Sequence, residues 1–431
     1  MSVRNVNHRQ AQQTESDAER EARRQAEIAR RAEYERHRSY RLVDADQHYY
    51  EPDDCFTRHL ESKYADEAIV VRRDQADGLG RLYRAGKRLR HISGPLGERT
   101  SPPGALREYF KSHGEVRPDA GGVRAQDHPE YMNDRNARLK VLDEHDLEAI
   151  LLLPTLGVLV ESECCAYKDI DPKVWYALMR SFNRWVEDDW GYGADGRIFA
   201  SPLVSLYDPE LAVVEVERLI AAGAKSAILR AGPAFGRSPA DPVFDPFWAR
   251  AQEANLVIAF HLGDFGYQDT FAREWGYGRS HYPAALASGF EAITCAGDRA
   301  MSDTIVALIF GDLFGRFPNL KCMIIELGSV WLPPLLEKMD MIWGRGVRDK
   351  VKISEPPSEV YKQHFWISPY YEDPWREIIE CVGVDRVVYG SDWPHPEGLP
   401  EPLDVLEEIG IVTPDELKLI VRDNTASLLG I

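Results

Sequence analysis

The chain has 431 residues, 44% of them hydrophobic and 28% charged, and a formal net charge of −18. The apolar content suffices for a large core and excludes wholesale disorder. The acidic balance argues against nucleic acid or an anionic membrane as the main partner, because either would require a basic face, and favours a small-molecule substrate.

Residues 1–39 are rich in Arg, Glu, Gln and Ala, with helix-forming runs such as Ala18–Arg24 but no sustained apolar stripe. They are expected to form a charged helical arm, solvated and dispensable for chemistry, or else packed on a partner subunit. The N-terminus lacks the apolar centre of a signal peptide, and no stretch approaches the roughly 20 apolar residues that span a bilayer, so a cytoplasmic location is expected.

From Tyr40 the texture changes to short apolar runs alternating with amphipathic stretches, the pattern of βα units and a parallel sheet. Eight strands are expected at Leu42–Ala45, Ala149–Leu153, Ile198–Val204, Ser226–Leu229, Val257–His261, Cys322–Glu326, Phe365–Ile367 and Val387–Gly390. Helices are expected at Val174–Asp188, Pro209–Ala222, Pro246–Ala254, Trp331–Trp343 and Pro374–Cys381. One domain over residues 40–431 follows, either a closed (β/α)₈ barrel or a doubly wound open sheet, which strand counting does not separate. The interval at about 63–129, rich in Gly, Arg, Pro and Asp, interrupts the alternation after the first strand and reads as an insertion near the active-site mouth. A second interval, Asp264–Phe290, carries Tyr267, Trp275, Tyr277, His281 and Tyr282 and is expected to supply an aromatic substrate wall. Six cysteines show neither a disulfide framework nor a CxxC zinc spacing, and adjacent Cys164 and Cys165 read as buried or loop thiols.

In a barrel the catalytic groups come from strand C-terminal ends. The first strand ends in Asp46 and His48, the fifth in His261, the sixth in Glu326 and the eighth in Asp392, with His395 three residues beyond. Asp46 and His48 are two apart on extended backbone, so their side chains leave on one side and can reach one ion. Any single His or Asp after a strand is more often a turn or capping residue than a ligand. Four strand ends carrying such residues favour a metal site made of Asp46, His48, His261, Glu326 and Asp392. Imidazole with carboxylate suits Zn, Mn or Fe, as one ion or two. His395 is a candidate ligand, carboxylate partner or substrate contact. Arg230, after the fourth strand, is a candidate carboxylate clamp, and Tyr267 and Trp393 are candidate substrate contacts.

These residues resemble the amidohydrolase superfamily, in the branch that includes 2-amino-3-carboxymuconate-6-semialdehyde decarboxylase and the γ-resorcylate and 5-carboxyvanillate decarboxylases. The likeness rests on Val43–His48 with Glu51-Pro52, Phe244–Trp248 leading to His261, Phe314–Leu320, and Gly390–Gly398. It implies a distorted (β/α)₈ TIM barrel and a divalent metal held from the first, fifth and eighth strands. Two departures stand out. Asp46-Gln47-His48 occupies the place where much of the family has His-x-His or Glu-x-His, and Glu326 stands where the decarboxylases carry a catalytic histidine at the end of the sixth strand.

A carboxylate is a poor substitute for a cationic proton donor at neutral pH but a good base for water. The sequence therefore favours a metal-dependent hydrolase of a small organic acid derivative, an ester, thioester or amide, with Glu326, Asp392 and His395 as catalytic groups. The alternative is a metal-dependent, non-oxidative decarboxylase of an aromatic or unsaturated acid. A second alternative is a non-catalytic ligand-binding barrel. A homodimer or higher homo-oligomer is expected.

Overall fold

The computed structural model describes residues 17–73, 80–89, 99–112, 126–165, 170–277, 288–295, 297–345 and 353–431. All eight expected strand positions lie in one parallel system. The first strand, Leu42–Tyr49, pairs with the second, Leu147–Pro154, which pairs with Ile198–Ala200 of the third. Leu203–Val204 continues the third strand and pairs with the fourth, Ser226–Leu229, followed in order by Val257–His261, Cys322–Ile325 and Phe365–Ile367. Residues 387–393 form the eighth segment. Val387 bridges Ile367 on one side and Trp393 bridges Gln47 on the other, both in parallel, so the eighth segment joins the seventh strand to the first and completes a (β/α)₈ barrel.

Parallel strands covered by helices are buried on both faces and read as continuous apolar runs. Leu147–Pro154 meets this description, with Leu147 and Ala149–Leu153 wholly inaccessible. The helices begin where capping chemistry starts them. Asp171 and Asp208 each accept a backbone N–H from the first turn, and Pro172 and Pro209 follow them at the position where a missing N–H costs nothing. The helices observed at Pro172–Asp189, Pro209–Ala221, Asp245–Glu253, Leu332–Gly344 and Trp375–Val382 fall within two residues of those expected.

Two features differ from the sequence reading. The N-terminal helix α1 (Asp17–His37) is not a solvated tail: it lies against the carboxyl-terminal part of its own barrel. Tyr34 donates its hydroxyl to Gly410 O at 2.8 Å, Arg30 reaches Glu407 O, and Arg31 pairs with Asp404. The apolar-stripe criterion missed this contact because ion pairs and hydrogen bonds make it. The insertion carries structure of its own, an antiparallel sheet of Ile69–Arg73, Gly80–Arg84 and Lys87–Arg88 and a short helix α2 (Arg107–Lys111). Lys111 on α2 pairs with Glu27 of α1 at 3.1 Å and with Glu408 at 2.8 Å. The backbone N–H groups of Gly104 and Leu106 bond to His395 O and Pro396 O. The insertion therefore stands against the loop that follows the eighth strand. Among the described residues no helix is long and apolar enough to cross a membrane.

Candidate metal centre and its cavity

The strand ends bring Asp46, His48, His261, Glu326 and Asp392 into one buried cluster, with His395 beside them. His48 Nε2 lies 3.1 Å from Asp46 Oδ1, 3.3 Å from Asp392 Oδ1 and 3.8 Å from Glu326 Oε2. His261 Nε2 lies 3.0 Å from Glu326 Oε2 and 3.5 Å from Asp46 Oδ1.

The donor set fits a divalent cation on a specific observation. Asp46 Oδ1, His48 Nε2 and His261 Nε2 are buried and make no hydrogen bond, although they face one another across a few ångströms. Each imidazole is oriented from its far side. His48 Nδ1 lies 3.2 Å from Pro154 O and His261 Nδ1 lies 2.7 Å from Leu262 O, contacts that a ring nitrogen makes only as N–H. Both Nε2 atoms thereby face the centre of the cluster, the orientation found in metal-binding histidines.

Local structure explains how the first strand presents Asp46 and His48. Gln47 points to the opposite side from Asp46 and His48 and donates to Asp44 Oδ2 at 3.0 Å. Asp44 also accepts Ser391 N at 3.0 Å and Ser391 Oγ at 2.6 Å, tying the first strand to the eighth segment. Buried Arg138 donates to Gln47 Oε1 and to the His48 carbonyl and faces the Trp393 ring. Glu326 and Asp392 both adopt left-handed backbone, with φ of 53° and 54°.

His395 stacks on His48 with ring centroids 4.0 Å apart. Its Nδ1 lies 2.7 Å from Asp392 Oδ1 and its Nε2 3.1 Å from Thr155 Oγ1. The single hydroxyl hydrogen of Thr155 goes to Tyr49 O at 2.7 Å, so Thr155 accepts from His395 Nε2–H. The short Nδ1–Oδ1 contact then holds one further proton, shared by His395 and Asp392.

Burial pushes Glu326 up to about 7, against the pull of His261. Burial together with Glu326 and Asp46 raises Asp392 well above the ordinary carboxylate range. Burial would lower His261, but Glu326 and Asp46 override it and raise the imidazole to about 10. Asp46 runs the other way: burial raises it, and the neighbouring imidazoles of His261 and His48 leave it well below its usual value.

The sign of the metal linkage follows. His261, raised from 6.5 to about 10, carries a proton at pH 7 in the metal-free protein, and an ion needs its lone pair, so binding expels that proton. Manganese affinity is expected to rise with pH between pH 6 and 8, about tenfold per pH unit for each proton released by His261 or by the raised Asp392. Titration at three pH values in different buffers reads this directly, and a flat profile would remove His261 from the ligand set.

Beside the cluster, with His261 in its wall, lies a small cavity. Trp175, Met179, Leu203, Ile228 and Phe265 make it apolar, while Glu161 and Arg230 supply its other charged side chains. Arg230 is thus where a substrate contact is expected. The other two candidate contacts lie elsewhere. Trp393 packs among Tyr131, His145 and Arg138, and Tyr267 donates its hydroxyl to Asp303 at 2.8 Å. Neither lines the cavity. Of the expected aromatic wall, Trp275 and Tyr277 are exposed, and His281 and Tyr282 lie outside the described residues. Sequence reasoning missed Thr155, Arg138 and Glu161. Only Thr155 carried a signal, since it directly follows the second strand.

Comparison with known proteins now places this site. Residues 167–431 match the family model described as Amidohydrolase, and the chain belongs to that family. An amidohydrolase from Mycobacterium avium subsp. paratuberculosis K-10 is 34% identical, with a TM-score of 0.81 over 91% of this chain and 100% of that one. The decarboxylase orsB of Emericella nidulans is 25% identical over 243 residues, 54% of this chain and 70% of that protein. A dihydroxybenzoic acid decarboxylase from Polaromonas sp. JS666, solved with manganese and 2-nitroresorcinol, shares the fold at 16% identity, with a TM-score of 0.59 over 91% of this chain and 97% of that one. The chain is an enzyme of the amidohydrolase superfamily, and its cluster suits a divalent metal.

Proposed function

We propose that the chain is a metal-dependent, non-oxidative decarboxylase of an aromatic or otherwise unsaturated carboxylic acid. The observation that carries this reading is the short contact between His395 Nδ1 and Asp392 Oδ1 at the edge of the cluster, which requires a proton between the two atoms. Kinship with a curated decarboxylase over half of the chain supports it. The hydrolytic expectation gives way here, because it treated Glu326 as the group that had to replace a histidine proton donor, whereas a proton is available two strands further round.

Asp46, His48, His261 and Asp392 would hold the ion, with Glu326 at its flank. When bound, a dication there supplies positive charge that anchors the substrate carboxylate and its neighbouring oxygen. The chain's own residues do the rest. The apolar cavity walls keep the ring flat and water away. The proton shared at His395 Nδ1 passes to the ring carbon that bears the carboxylate. The C–C bond then breaks, its electron pair returns to the ring, and carbon dioxide leaves. Solvent afterwards returns a proton to the His395–Asp392 pair. Glu326, 3.0 Å from His261, keeps that imidazole oriented.

Carbon dioxide release from a panel of hydroxybenzoates, run beside hydrolysis of matched aryl esters and acyl thioesters, tests the reading. Release of carbon dioxide with negligible ester or thioester turnover is expected. Hydrolysis without carbon dioxide would overturn the proposal and restore the water-activating role of Glu326.

A further inference from the structure

The helix α3 (Gly157–Cys165) follows the second strand and roofs the cavity, and its Glu161 is buried there opposite Arg230 from the fourth strand end. The two do not form an ordinary bridge. Glu161 Oε1 is taken by the Ser205 hydroxyl, while Oε2 stands 3.9 Å from Arg230 Nε, beyond hydrogen-bond reach. The rest of the guanidinium is committed to backbone, with Nη1 donating to Phe265 O at 2.7 Å and Nη2 to Pro233 O at 2.7 Å. Nε–H is buried and has no hydrogen-bond partner. One donor and one acceptor therefore face each other inside an apolar cavity whose wall includes the metal-facing His261.

We propose that Glu161 and Arg230 form a hydroxyl-recognition subsite, which selects acids carrying a phenolic or enolic hydroxyl away from the reacting carboxylate. The proposal rests on the decarboxylase reading for the acid and on the cavity alone for the hydroxyl. A hydroxyl oxygen about 2.8 Å from each atom closes the triangle, accepting Nε–H and donating to Oε2. A substrate carboxylate does not suit the position. Glu161 cancels the charge of Arg230 and offers only a lone pair, so a second anion would meet repulsion. This replaces the carboxylate clamp expected from the sequence. A methyl ether in place of the hydroxyl loses the hydrogen and leaves the buried Oε2 without a donor, which is the costly side of an unmade hydrogen bond.

The test compares calorimetric dissociation constants of the manganese-loaded full chain for 3- and 4-hydroxybenzoate and for their methyl ethers. At least one hydroxybenzoate is expected to bind about 10- to 100-fold more tightly than its ether, the span of a hydrogen bond to a charged group. In Glu161→Leu the ratio should fall below about threefold. Glu161→Gln, which retains an acceptor and the shape, should keep most of the preference while showing that the fold tolerates change at this position. No preference in the native chain, or an undiminished preference in Glu161→Leu, would overturn the subsite. Hydroxyl preference without carbon dioxide release would reject the decarboxylase reading and leave the subsite standing, so the two failures are distinct.

Discussion

Alanine at His48, His261 or Asp392 is expected to abolish turnover and strip the metal while leaving a folded barrel. Each of the three contributes an atom to one of two overlapping groups, joined at His48 and Glu326, whose ligand atoms lie within 4.8 Å of one another, and none of them belongs to the apolar layer that fills the barrel. Loss of an outer partner of a ligand already costs about 10- to 100-fold in metal affinity or activity, so removal of a ligand should exceed about 100-fold. Elemental analysis, circular dichroism and a turnover assay on each variant give the three readouts. A variant with native metal content and native rate would take its residue out of the centre, whatever its place at a strand end.

Glu326→Gln should lower turnover by about 10² to 10⁴ if the carboxylate moves or directs a proton. The side chain is buried, its Oε2 is 3.0 Å from His261 Nε2, and its backbone carbonyl accepts the Tyr370 hydroxyl at 2.9 Å. Glutamine preserves the size and the orienting contact but removes the charge. Retained metal with collapsed turnover marks a group in the chemistry, and lowered metal marks a ligand. A near-native rate with native metal would reduce Glu326 to a structural neighbour of His261. The His395–Asp392 pair would then carry the proton without its help.

The barrel was legible in the sequence because buried parallel strands are written as apolar runs, and those runs need no knowledge of their partners. Leu147–Pro154 and Val257–His261 are recognisable from four or five residues each. The residues of the buried cluster were legible for a related reason, since polar residues closing such runs are conspicuous against them. What stayed hidden depends on long-range contact. Thr155 matters because the fold sets it against His395, 240 positions away. Arg138 reads as one charge in an ordinary surface helix, yet it is fully buried and braces the carbonyl of His48. Glu161 sits in a helix with no marked amphipathic pattern, and only the cavity shows where it points. The N-terminal arm failed for the opposite reason: its many charges suggested solvent, whereas Tyr34, Arg31 and Glu27 use polar groups to dock.

Glu326 and Asp392 share a property that sequence cannot display, a left-handed backbone at a residue other than glycine. Such a conformation costs about 1–3 kcal/mol and persists only where its surroundings over-determine it. Here the surroundings include two acidic side chains turned toward the same small volume as Asp46. A cation that draws these carboxylates inward also holds both turns in place, and without one the backbone strain acts on the same two segments unopposed. Loss of the ion is therefore expected to loosen the two corners at residues 326–329 and 391–398 before the hydrogen-bonded staves below them. Amide protons at those corners become gauges of occupancy, exchanging early when the ion is gone and late when it is bound, with the barrel itself unchanged.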